Sequence, residues 1–196
     1  MSTIRTKTLE VNSIRLSGRP IAYYDNSTKG GWDVTVIIDI GGGKTVRVSC
    51  PLNKEKKPYF TEAQFKKGTV VFIGAQFNSY INKRTNRPVF QIKAGGWRNI
   101  ILGLDEEIEL ELNETFVAGI VNQANPKTNR FLVDIKHRKG LPQAGKPPEY
   151  GIRQVMVTCP EGVDLPSKDS EVFVTGTVSV TDDGRLGILA KQIVKI

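Results

Sequence analysis

Two phrases decide the reading of this chain: VRVSCPLN at 46–53 and VMVTCPEG at 155–162. In each, valines alternate with other residues, Val46 with Val48 and Val155 with Val157, before Ser/Thr-Cys-Pro closes the run. A period of two marks a strand with one buried face, because successive side chains point to opposite sides. Proline ends the run because it has no N–H to give a ladder. The same phrase written twice implies two copies of one unit.

Working outward, the echo grows. KKGTVVFIGAQF (66–77) follows the first Cys-Pro and KDSEVFVTGTVSV (168–180) follows the second, each succeeded by a hairpin and a last strand. Further strand patterns are WDVTVIIDI (32–40), KTVRVSC (44–50), RPVFQIKA (87–94), TFVAGIV (115–121), RFLVDI (130–135), RQVMVTC (153–159) and LGILAKQIV (186–194). Glycine, Asn-Pro and Asp-Gly turns separate them. One short helix is expected in FTEAQFKK (60–67), with Thr61 as its cap. The expectation is an all-β chain of two units, 1–104 and 115–196, joined by an acidic stretch at 105–114. A single larger β-sandwich stays open as the alternative.

Charge is unevenly spread over the 196 residues. The formal net charge is +8, yet residues 1–104 carry +11, residues 105–114 carry −6 and residues 115–196 carry +3. A basic first half suits a polyanionic partner. No run of about 18 apolar residues indicates a membrane span. The N-terminal stretch has no signal-peptide core and there are only two cysteines, so a reducing, cytoplasmic setting is expected, nucleoid-associated or viral.

Catalysis finds little support. GGGKT (41–45) lacks the first glycine of a phosphate-binding loop, that position being Ile38, and its lysine leads into a strand rather than a helix. His137, the single histidine, is read as a loop residue without metal-ligating neighbours. No nucleophile-elbow pattern occurs. A non-enzyme without metal or cofactor is expected.

Three strands, a spacer that holds a short helix, then a closing hairpin is the order of the OB-fold, a small Greek-key barrel. In that layout the chain resembles single-stranded DNA-binding proteins built from OB-folds, including tandem forms such as replication protein A and phage proteins. It departs from bacterial members in ending LAKQIVKI rather than in an acidic tail. The resemblance implies a groove over the outer face of strands two and three, bounded by the first and last hairpin loops.

Residues of the kind such a groove needs fall there. A single-strand binder requires cations along the backbone path and flat rings on which bases stack. The first unit offers Tyr23, Tyr24 and Lys29 at the first loop, and Arg47 on the third strand. Its closing hairpin SYINKRTNRPVFQIK (79–93) offers Tyr80, Lys83, Arg84, Arg87, Phe90 and Lys93, with Trp97 beyond. Phe72 and Trp32 are read as core. In the second unit the matching hairpin has an acidic tip and no aromatic, and Met156 stands where the first has Arg47. It keeps two basic loops, NPKTNR (125–130) with Lys127 and Arg130, and a long one over 136–153. Expected partners are single-stranded DNA or RNA, with replication or recombination proteins and self-association as further possibilities. The rival expectation is a structural or adaptor protein whose basic hairpin docks an acidic protein surface.

Overall fold

Eleven strands are found in the computed structural model, which describes residues 11–26, 33–53, 55–104, 111–139, 147–181 and 184–196. The first six are β1 (Asn12–Asp25), β2 (Val34–Asp39), β3 (Thr45–Cys50), β4 (Thr69–Asn82), β5 (Arg87–Lys93) and β6 (Ile100–Leu104). The rest are β7 (Asn113–Asn125), β8 (Arg130–Lys139), β9 (Glu149–Thr158), β10 (Glu171–Val180) and β11 (Leu186–Lys195). Strand β1 pairs antiparallel with β2 and β4, β2 with β3, β4 with β5, and β3 runs parallel to β5. That closes a five-stranded ring in the order 1-2-3-5-4, the OB plan. The same ring recurs as β7-β8-β9-β11-β10, with β9 and β11 as its parallel pair.

Period-two alternation fills both rings. Val34, Val36 and Ile38 of β2 and Val46, Val48 and Cys50 of β3 point inward, as do Phe131, Val133 and Ile135 of β8 and Val155 and Val157 of β9. Helix α1 (Glu62–Phe65) closes one end of the first ring. Thr61 caps it by accepting the Gln64 N–H at 3.4 Å, and Phe65 packs against Tyr23 and Phe60.

Both barrels use one pair of devices. Asn12 donates from Nδ2 to the Phe77 carbonyl at 2.9 Å and accepts the Phe77 N–H at 2.9 Å. Asn113 makes the same two bonds to Val178, at 3.1 and 2.7 Å. Gly18 and Gly119 sit where a Cβ would lie 2.4 Å from the Asp39 carbonyl oxygen or 2.3 Å from that of Asp134. Only a residue without a side chain lets the long first strand bend this closely over its neighbour.

The barrels are joined through their first strands. Asn12 lies opposite Val117, Ile14 opposite Thr115 and Leu16 opposite Asn113 in an antiparallel ladder. Since Asn12 and Asn113 are equivalent, each end of this ladder repeats the other, which is the geometry of a two-fold contact built into one chain. A second contact is asymmetric. Strand β11 covers β9 only at Met156–Thr158, and the β4–β5 arm crosses the uncovered part. There the Gln154 N–H donates to Ser79 Oγ at 2.9 Å, and Arg153 Nη1 donates to Gln76 Oε1 at 2.8 Å. An edge that would otherwise be open is thereby blunted.

Several elements differ from the sequence expectation. Strand β1 carries Gly18, Pro20 and a bulge between Pro20 and Ala22, so its fourteen residues show no clean alternation. Strand β6 replaces β5 along β4 after the turn at Gly95–Asn99. His137 lies in β8, not in a loop: the strand runs on to Lys139 because each residue finds a partner in β9, His137 opposite Gly151. The GGGKT stretch is the β2–β3 turn, with positive φ at Gly41, Gly42 and Gly43. Residues 105–110 of the acidic stretch, Lys29, Trp32, and the Asp182 and Asp183 of the second hairpin lie outside the described residues.

Candidate functional site

The alternation that sends Val46 and Val48 inward turns Arg47 and Ser49 onto the outer face of the first barrel. Strand registers extend that face as one row. Tyr24 lies opposite Thr35, Thr35 opposite Ser49, Ser49 beside Lys93, and Lys93 opposite Gln76. All five strands of the ring contribute. Arg47 and Lys93 are exposed. Strands β3, β4 and β5 contain no carboxylate. Asp39 of β2 accepts the Gly41 N–H at 2.8 Å within its turn. The face is therefore cationic and polar, exposed at Tyr24, Arg47, Gln76 and Lys93, while Thr35 between them is buried and accepts from Asn26 Nδ2 at 2.6 Å.

At one edge of this face, where β3 and β5 end, aromatic rings and cations gather. Because β3 and β5 run parallel, the segments that follow them emerge at the same edge. Lys56 Nζ lies 4.6 Å from the Trp97 ring centroid and 5.8 Å from that of Tyr59, and the Arg98 guanidinium carbon is 5.2 Å from Trp97. Trp97 leans partly on the core, whereas Tyr59 is 66% exposed. Lys56 and Tyr59 were not among the residues picked from the sequence; three lysines around one tyrosine in KEKKPY (54 to 59 including Lys54) is the signal that could have found them.

The other element is the β4–β5 hairpin. Asn82 Oδ1 accepts the N–H groups of Arg84 and Thr85 at 2.9 and 3.4 Å, and Asn86 takes a left-handed φ of 50°. Lys83 and Arg84 are held exposed at the tip, and Arg87 opens β5. Tyr80 is opposite Val89 and Phe90 opposite Ser79, so the two rings project from opposite faces. They do not form one platform. Tyr80, 48% exposed, belongs to the outer face. Phe90 is turned toward the second barrel, where it lines an open cleft of about 610 Å³ with Arg130, Leu132, Gln154, Met156 and Arg185.

The tip chemistry recurs in the second barrel. Asn125 Oδ1 accepts the Lys127 N–H at 3.1 Å, and Asn129 has φ 52°. The wording shared by NKRTNR and NPKTNR is thus one turn used twice, presenting Lys127 to solvent and placing Arg130 at the cleft wall.

The structure gathers Tyr24, Arg47, Tyr80 and Lys93 on one face and sets Trp97 at the edge where β5 ends. Tyr23 stands apart. Its hydroxyl donates to the Phe60 carbonyl at 3.1 Å and its ring packs on Phe65, while burial, with Asp25 and Glu62 nearby, raises its phenol pKa. Phe72 is fully buried. Among the described residues no group of three or more His, Cys, Asp or Glu is placed to hold a metal ion.

No protein-family model matches the chain, and no curated protein matches it by sequence. Solved structures do match. The wild-type single-stranded DNA binding protein from Thermus aquaticus aligns with a TM-score of 0.56 at 14% identity, covering 97% of this chain and 94% of that one. A deletion mutant of the same protein gives 0.57 at 14% identity, over 95% and 94%. The two proteins share a fold. The likeness runs through both barrels, since nearly the whole of each chain is covered, and it leaves the side chains of the outer face to be judged on their own chemistry.

Proposed function

We propose that this chain binds single-stranded DNA with little sequence preference, protecting it during replication, recombination or repair, through the outer face of the first barrel. The observation that carries this reading is the row Tyr24–Thr35–Ser49–Lys93–Gln76 with Arg47 beside it and no carboxylate from β3, β4 or β5. It is flanked by the Lys56–Tyr59–Trp97–Arg98 cluster at one edge and by the Lys83 and Arg84 tip. Bases stack on the exposed rings, each worth about 1–3 kcal/mol, while the cations follow the phosphates. Neither contact reads a base edge, hence the low sequence preference. The shared fold with the Thermus aquaticus protein, whose name states such binding, supports the same reading.

Oligothymidylate titration followed by tryptophan fluorescence is the test. Quenching is expected at low salt, with affinity falling steeply as salt rises. Arg47→Glu combined with Lys93→Glu should weaken binding and flatten that salt dependence. Absence of binding at low salt, or indifference to the charge reversal, would refute the proposal. A ribo-oligonucleotide of the same sequence binding more tightly would move the assignment to RNA. Binding of an acidic protein surface instead of either nucleic acid would favour an adaptor.

A further inference from the structure

Where the outer face of the first barrel carries Arg47 the second has Met156, and its cations lie elsewhere. Strands β8 and β9 continue past the last inward-facing pair of their core and project as a hairpin toward the flank of β4. Between them lies a cleft of about 380 Å³ whose walls include Ser13, Gln76, Lys136, His137, Arg138 and Arg153, with no carboxylate among the described residues.

We propose that this cleft binds a phosphate of the polynucleotide backbone, so that the second half of the chain grips the strand as it leaves the first barrel. The inference rests on the single-strand reading above and adds a site to it. Arg153 occupies an inward-facing position at the barrel rim, opposite Ile135, and is only partly exposed. Its Nη1 donates to Gln76, and its Nε is shielded from solvent without a hydrogen-bond partner. No carboxylate pairs with it among the described residues. A guanidinium drawn out of water with no counter-ion is costly, and burial lowers its pKa accordingly. A phosphate supplies the missing charge and matches the planar fork of donors.

Position argues for the strand rather than a free anion. Gln76, which holds Arg153, pairs across the ladder with Lys93, and Lys93 with Ser49. The cleft is therefore the next step along the row that forms the proposed binding face. Lys136 is steadied at its mouth over the Tyr150 ring, 4.2 Å from the centroid. Two acids of the same strands are otherwise engaged or placed: Asp134 accepts from Asn122 and Gln154, and Glu149 lies opposite Lys139.

The experiment uses the full chain with two labelled oligothymidylates, one of about 8 nucleotides, within the span of a single OB barrel, and one several times longer. In Lys136→Gln/Arg138→Gln, affinity for the long strand should fall severalfold. The slope of log K against log salt should drop by about 0.7, the value for one single-strand phosphate contact. Binding of the short strand should stay unchanged. Arg153→Gln should behave like the double variant and Arg153→Lys should recover part of the slope. Unchanged slopes on the long strand, while Arg47→Glu still weakens both, would overturn this inference and leave the main reading standing. Failure of the unmodified chain to bind either strand would overturn both. The Arg153 Nε–H resonance should shift with an abasic oligonucleotide. An equal shift with inorganic phosphate alone would assign the cleft to free anion and overturn the strand reading.

Discussion

At the scale of single residues, glycine and asparagine set the barrel geometry. Gly119→Ala drives a methyl group to within 2.3 Å of a backbone oxygen that cannot retreat without breaking the β7–β8 ladder. Overpacking of this kind costs about 1–3 kcal/mol, which a urea unfolding curve would register as a lower midpoint. Asn113→Ala removes both bonds to Val178 and leaves a backbone N–H and C=O without their partner. The expected loss is also about 1–3 kcal/mol, and an unchanged midpoint would contradict the clip. Cys50 is buried at the end of β3, and its thiol pKa is pushed far above its ordinary value of 9.0, by desolvation first and by Asp33 second. The folded state thus holds this proton more tightly than the unfolded state. The resulting stability is complete below pH about 9 and declines as pH rises beyond it. Cys159 and Tyr23, raised for the same reason, add to the alkaline decline. Urea midpoints measured across the alkaline range should fall, and Cys50→Ala should make the fall shallower.

At the scale of elements, the β4–β5 hairpin does two jobs because its faces differ. Tyr80 points with the outer face, and Tyr80→Ala should weaken single-strand binding by roughly the 1–3 kcal/mol of one stacked base while leaving the urea midpoint in place. Phe90 points the other way, into the cleft against the second barrel. Phe90→Ala should instead lower stability by about 2 kcal/mol, less than the roughly 3–5 of a fully buried ring, with a smaller effect on binding. Titration and unfolding of the two variants together check the division; a shared phenotype would dissolve it. The hairpin's charged tip was legible in the sequence, and so was the repeat of its turn at Asn125–Asn129. Which face each ring took was not, since adjacent alternation assigns opposite sides but does not say what each side meets.

On the scale of the whole molecule, the two barrels are parts of one continuous sheet. The β1–β7 ladder and the Gln154–Ser79 and Arg153–Gln76 bonds bind them at two places. One cooperative heat-capacity peak is expected on thermal unfolding, and two resolved peaks would show that the barrels melt independently. Of the acidic stretch expected as a linker at 105–114, Asn113 and Glu114 already belong to β7.

The all-β class, the doubled unit and the inward faces of β2, β3, β8 and β9 were fixed locally, because period-two alternation and turn residues act on neighbouring positions. Strand β1 escaped notice because its glycine, proline and bulge answer to strands far along the chain, not to its own periodicity. The Lys56–Trp97 contact joins segments brought together only by the parallel β3–β5 pair. Arg153 illustrates the same limit. In sequence it is one more charge beside a valine-rich strand, and only the crossing of β4 over β9 makes it a half-buried cation whose side-chain partner among the described residues is the neutral Gln76. Local alternation could decide what the strands are; long-range pairing alone could decide which of their side chains share a surface.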